Sequence, residues 1–161
     1  MTPTYGEYDG ACRLAGAKIL NLVADAAKDF SWDLGAAAKL ISENKPNIVI
    51  ICNPNNPTGV YLDLQEIEIL ADATRDAGGW LVVDEAYLAC VAEPWDSLAL
   101  MDRPEVMLVR SMTKAYAQTA LRLGYALASG EVVTRLRAFQ PGWSVNSLAQ
   151  KAGVSALEDA G

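Results

Sequence analysis

Three short, continuously apolar runs, each followed by polar or turn-forming residues, restrict this chain more than any other feature. Asn47 to Cys52, Trp80 to Val83 and Val106 to Val109 are rich in Val, Ile and Leu. Runs of that length and β-branched character read as strands covered on both faces. The segments between them have helical periodicity. Asp63 to Ala77 places Leu64, Ile67, Leu70 and Ala71 on one face, and Gly78-Gly79 stops it. Leu34 to Glu43 repeats the pattern, with Ser31 or Asp33 available as its cap. Helical crossovers between successive strands imply a mainly parallel sheet and an α/β fold.

The remaining sequence extends this plan. Ala17 to Val23 and Arg122 to Ala128 read as further strands, and Glu131 to Phe139 as a helix. Pro141-Gly142 breaks the chain before a last helix from about Val145 to Leu157. With 161 residues, 52% of them hydrophobic, the chain suffices for one domain with a buried core.

Composition excludes several classes of function. The net charge of −7, from 20 acidic and 13 basic residues, argues against nucleic-acid and anionic-membrane partners, which select clustered Lys and Arg. No histidine is present, which rules out a Ser-His-Asp triad and a zinc site within the chain, so no metal ligands are assigned. Cys12, Cys52 and Cys90 are odd in number, far apart and set among apolar neighbours, and are expected to be buried small hydrophobes. No apolar run approaches the roughly 18 residues of a membrane helix. Met1 to Gly6 lacks the basic and apolar regions of a signal peptide, so a cytoplasmic protein is expected.

In open sheets of this kind, ligands bind beyond the carboxyl ends of the strands. Those ends supply Asn53-Pro54-Asn55-Asn56-Pro57-Thr58-Gly59, then Asp84-Glu85-Ala86-Tyr87, then Ser111-Met112-Thr113-Lys114, followed by Arg122-Leu123-Gly124-Tyr125. Each segment alone has an ordinary reading. The first is a turn, Asp84 a cap, Lys114 a surface lysine and Arg122 a salt-bridge partner. Glu85 points away from Asp84 on a strand-like backbone and receives no catalytic role. Trp32, Trp80 and Trp95 read as core or interface residues.

Taken in order and spacing, the four segments resemble the motifs of the class I and II aminotransferases, and the resemblance covers nearly the whole chain. It implies the large domain of a pyridoxal 5′-phosphate (PLP) enzyme, a three-layer α/β/α fold with a mainly parallel sheet. By that resemblance Lys114 forms the internal aldimine and shuttles the substrate's α-proton. Asp84 pairs with the pyridine nitrogen, as a PLP site needs if the ring is to act as an electron sink. Asn56 and Tyr87 hydrogen-bond the phenolic oxygen. Ser111 and Arg122 hold the phosphate, with Thr113 a second hydroxyl; a guanidinium bonds two phosphate oxygens at once. Tyr5, in Pro3-Thr4-Tyr5-Gly6-Glu7-Tyr8, stacks on the ring.

Gln140-Pro141-Gly142-Trp143-Ser144-Val145-Asn146 is similar to a segment of the branch containing histidinol-phosphate aminotransferases and threonine-phosphate decarboxylases. The resemblance therefore implies transamination between an amino acid, or an amino-acid phosphate, and a 2-oxo acid. Decarboxylation of an amino-acid phosphate and a non-catalytic PLP-binding or assembly domain are the alternatives. It also implies that residues 1–161 are the central part of the large domain, without the family's N-terminal arm and C-terminal small domain. A homodimer is expected, since an incomplete sheet leaves edges and apolar surface to cover.

Overall fold

The sheet that these apolar runs build has four strands in chain order. A computed structural model describes residues 1–159. In it β1 (Ile48–Cys52), β2 (Trp80–Asp84) and β3 (Val106–Ser111) are parallel, and β4 (Gly124–Leu127) runs antiparallel to β3. The helices are α1 (Glu7–Leu14), α2 (Leu34–Asn44), α3 (Leu64–Asp76), α4 (Met112–Ala115), α5 (Gly130–Phe139) and α6 (Ser147–Glu158). The α/β fold and mainly parallel sheet are those the sequence implies. The α1 helix, among Tyr, Glu and Gly residues, was not expected.

Local chemistry sets the element ends. Asp33 caps α2 by accepting from the Ala36 N–H at 2.9 Å. Asp63 and Glu66 form a reciprocal capping box at α3, which satisfies two amide donors that the first turn leaves free. Gly78 ends α3 at a φ of +76°, and a Cβ on Gly79 would run into the Pro46 carbonyl. The chain thus re-enters the sheet at Trp80 by a route that only small residues allow.

Strand periodicity then sorts the side chains. Ile51, Leu81, Val83, Val106 and Leu108 lie in one fully buried core with Ile67, Leu70 and Ala71 of α3 and Ala37 and Ile41 of α2. Cys52 is in register with Asp84, and Asp84 with Val109, so these residues and Ser111 share the opposite face. That parity brings three strand ends to one site.

The structure corrects three expectations. Ala17 to Val23 is extended but forms no sheet strand: its one ladder contact is a parallel bridge from Val23 to Thr2. Thr2 offers only a short partner, with bonds to the Leu22 carbonyl and from the Ala24 amide. The first apolar run is not covered on both faces, because β1 is the sheet edge and Ile48 is 55% exposed. Finally, only Cys52 of the three cysteines is buried, while Cys12 is intermediate and Cys90 exposed. Cys90 ends a 3₁₀ turn at the surface, where no sheet covers it. The tryptophans follow expectation in part. Trp32 is buried in the core and the Trp95 indole donates to the Leu62 carbonyl, whereas Trp80 is only half-buried.

Candidate active site

Beyond the carboxyl ends of β1, β2 and β3 lies a cleft of about 510 Å³. That volume is within the usual range for small-molecule and cofactor sites. Tyr5, Asn56, Asp84, Tyr87, Ser111, Thr113, Lys114 and Arg122, the eight residues singled out from the sequence, all line it. Each arrives by a different local device.

Asp84 is the last residue of β2. Its Oδ1 accepts the Ala86 N–H at 2.9 Å and its Oδ2 accepts the Tyr8 hydroxyl at 2.6 Å. The carboxylate is therefore held from both sides. Glu85 points to the other face, as alternation requires. There its carboxylate is buried and accepts from Arg110 Nε at 2.8 Å, while Arg110 Nη2 donates to Ser97 Oγ at 2.9 Å. The Glu85–Arg110 pair pins the ends of β2 and β3 from behind the site.

Ser111 ends β3 and caps the short α4, its Oγ accepting the Thr113 N–H at 3.2 Å. Its own O–H is the part left to donate. Lys114 follows on the same turn. It stands at the exposed mouth of the cleft rather than half-buried, with Nζ 5.4 Å from the centroid of the Tyr87 ring. An ammonium above an aromatic face is attracted by the ring quadrupole. The Tyr87 hydroxyl in turn lies 3.5 Å from Asn56 Nδ2, a long contact that sets two polar groups side by side.

Arg122 adopts a φ of +55°, a left-handed backbone unusual for a branched or long side chain, and donates to the Thr119 carbonyl at 3.0 Å. Strand β4 begins two residues later. Gly124 pairs with Ser111, and a Cβ there would sit 2.8 Å from the Arg110 carbonyl oxygen. Only glycine lets the two strands close at that point, which keeps Arg122 beside Ser111.

Tyr8 and Cys52 also line the cleft, and the sequence assigned neither a role. Burial, reinforced by the Asp84 hydrogen bond and by Cys52, pushes the Tyr8 phenol far above its usual range. Burial likewise pushes the Cys52 thiol up, partly offset by Tyr8 and the Asn56 amide. Both groups are thus neutral near pH 7, and the thiol donates to the Pro54 carbonyl at 3.2 Å. Tyr8 carries no local signal of this role, since its partner Asp84 lies 76 residues away. No group of residues suited to a metal ion occurs among the described residues. None of the described helices is long and apolar enough to cross a membrane.

A cluster of one carboxylate at a strand end, a lysine, a guanidinium and several hydroxyl and amide donors has a definite chemistry. It can bind a protonated ring nitrogen and an anionic oxygen group in one cleft that also offers a primary amine. Comparison with known proteins shows what the chain is similar to. The family model described as aminotransferase class I and II matches residues 1–161. A histidinol-phosphate aminotransferase of Desulfitobacterium hafniense is 35% identical over 96% of this chain and 43% of its own length. A threonine-phosphate decarboxylase of Salmonella typhimurium is 34% identical, over 99% of this chain and 44% of its own length. The structure of aspartate aminotransferase from Thermus thermophilus with maleate superposes with a TM-score of 0.87 and 26% identity, covering 97% of this chain and 41% of that one. The chain thus spans under half the length of the relatives it matches.

Proposed function

The chain belongs to the class I and II aminotransferases, a PLP-dependent family, and from that premise we propose that its cleft is the PLP site of an enzyme that transfers amino groups. The observation that carries the reading is the convergence of eight side chains, from five separated segments of the sequence, on one cleft. Their donor set fits the cofactor. Asp84 would face the pyridine nitrogen, Asn56 and Tyr87 the phenolic oxygen, and Ser111, Thr113 and Arg122 the phosphate. Tyr5 would cover the ring.

When bound, PLP supplies a conjugated ring that holds the electron pair released at the substrate's Cα. The protein's residues do the rest. Lys114 offers its primary amine at the mouth of the cleft, where it is the anchoring group and the base that takes and returns the Cα proton. Its Nζ stands 5.4 Å from the centroid of the Tyr87 ring, which keeps it beside another residue of the cleft. Asp84, tied by Ala86 and Tyr8, would present its carboxyl group in one orientation. Arg122 and Ser111 fix the opposite end, so that a ligand spanning the two cannot rotate.

The substrates would be an amino acid or amino-acid phosphate and a 2-oxo acid. Similarity to a threonine-phosphate decarboxylase keeps loss of carbon dioxide as the second reading. Residues 1–161 would form the central part of a PLP-binding large domain, working as a cytoplasmic homodimer. Product analysis on a preparation carrying the whole parent protein separates the two reactions. Keto-acid formation from an amino-acid phosphate supports transamination. Carbon dioxide release without keto acid overturns it in favour of decarboxylation, and neither product overturns both.

A further inference from the structure

We propose that Tyr8 is a positioning residue: its hydroxyl fixes the Asp84 carboxylate in the orientation that meets the cofactor's ring nitrogen. The proposal rests on the PLP reading of the cleft. Three features support it.

First, the Tyr8 hydroxyl donates to Asp84 Oδ2 at 2.6 Å across 76 residues of sequence, while Oδ1 is occupied by the Ala86 amide. An ionised carboxylate has about four acceptor sites, and these two bonds leave lone pairs on both oxygens. With one donor on each oxygen, rotation about Cβ–Cγ is stopped and the remaining lone pairs keep one direction. Second, Tyr8 is itself held. Its ring meets Tyr5 edge-on, with centroids 5.6 Å apart and planes at 82°. The ring expected over the cofactor, just before α1, thus packs against the α1 residue whose hydroxyl braces the carboxylate. Third, Cys52, in register with Asp84 on the same face, gives its thiol proton to the Pro54 carbonyl rather than to the carboxylate. The raised phenol keeps Tyr8 a donor through neutral pH.

A side chain that only filled space would act independently of Asp84. That difference gives the test. PLP affinity of the 161-residue chain is measured by absorbance titration for the native sequence, Tyr8→Phe, Asp84→Asn and the double variant. A hydrogen bond to a charged acceptor corresponds to roughly a tenfold effect. Tyr8→Phe should therefore weaken binding about tenfold in the native background and less than about twofold beside Asp84→Asn. Equal losses in both backgrounds, or no loss, overturn the proposal. In the cofactor-free chain labelled with ¹³C at tyrosine Cζ, the resonance that Tyr8→Phe removes should move on Asp84→Ala. An unmoved resonance also overturns it. Failure of the native chain to bind PLP, with the resonance moving as stated, instead overturns the PLP reading and removes the cofactor role from an intact hydrogen bond.

Discussion

Replacing Arg110 with methionine should destabilise the chain by about 3 kcal/mol or somewhat more, although Arg110 is assigned no part in the chemistry. The Glu85 side chain is 2% exposed and that of Arg110 25%. Their 2.8 Å bond sits behind the site, with a second Arg110 nitrogen 2.9 Å from the buried Ser97 hydroxyl. Removing one partner of a buried pair costs about 3–5 kcal/mol, because the other charge stays desolvated. The quarter exposure of Arg110 admits some water, which favours the lower end of that range. Removing both charges is different. Glu85→Leu with Arg110→Met replaces the pair by apolar volume and should lie within about 1 kcal/mol of the native chain. Urea denaturation followed by circular dichroism reads both. With a slope of roughly 2 kcal/mol/M, the single variant's midpoint falls by about 1.5 M and the double variant's barely moves. A single variant that loses less than about 1 kcal/mol, or a double variant worse than either single one, refutes the reasoning.

Two further outcomes follow from the geometry. Gly124→Ala places a Cβ 2.8 Å from a backbone oxygen that cannot swing aside. The strands must part, at a cost of about 1–3 kcal/mol, and PLP affinity should fall because Gly124 pairs with Ser111; unchanged affinity by absorbance titration would contradict the coupling. Tyr8 gives a pH dependence of definite sign. Its folded phenol is raised above the ordinary 10.0 by burial and then by Asp84, so its contribution is complete below pH 10.0 and is lost as pH rises beyond it. Tyr8→Phe should flatten the fall in thermal midpoint between about pH 10 and 11. Parallel profiles for the two proteins would refute that linkage.

Much of this was legible in the sequence, for physical reasons that differ by residue. The runs ending at Cys52, Asp84 and Ser111 are strands because β-branched residues crowd a short stretch, and that signal is local. The cap at Asp33, one of the two that the sequence offers for α2, is equally local. The identity of the site residues came from the ordered motifs around Asn56, Asp84, Lys114 and Arg122, which the cleft gathers together. What escaped depends on distant partners. Whether Ala17 to Val23 is a strand depends on a neighbour to pair with, and Thr2 provides only a bridge. The surface position of Cys90 and the edge exposure of Ile48 depend on what covers them, which no nearby residue reveals. Tyr8 reaches Asp84 across 76 residues, and periodicity in the sequence carries no trace of that contact.

The central claim is that Lys114 is the anchoring amine of a PLP site. Its most direct test is borohydride reduction of the chain with PLP present, followed by peptide mass mapping. One stoichiometric pyridoxyl adduct is expected on the peptide carrying Lys114, and none at that peptide in Lys114→Ala. An adduct spread over the surface lysines, or the absence of one at Lys114, would contradict it.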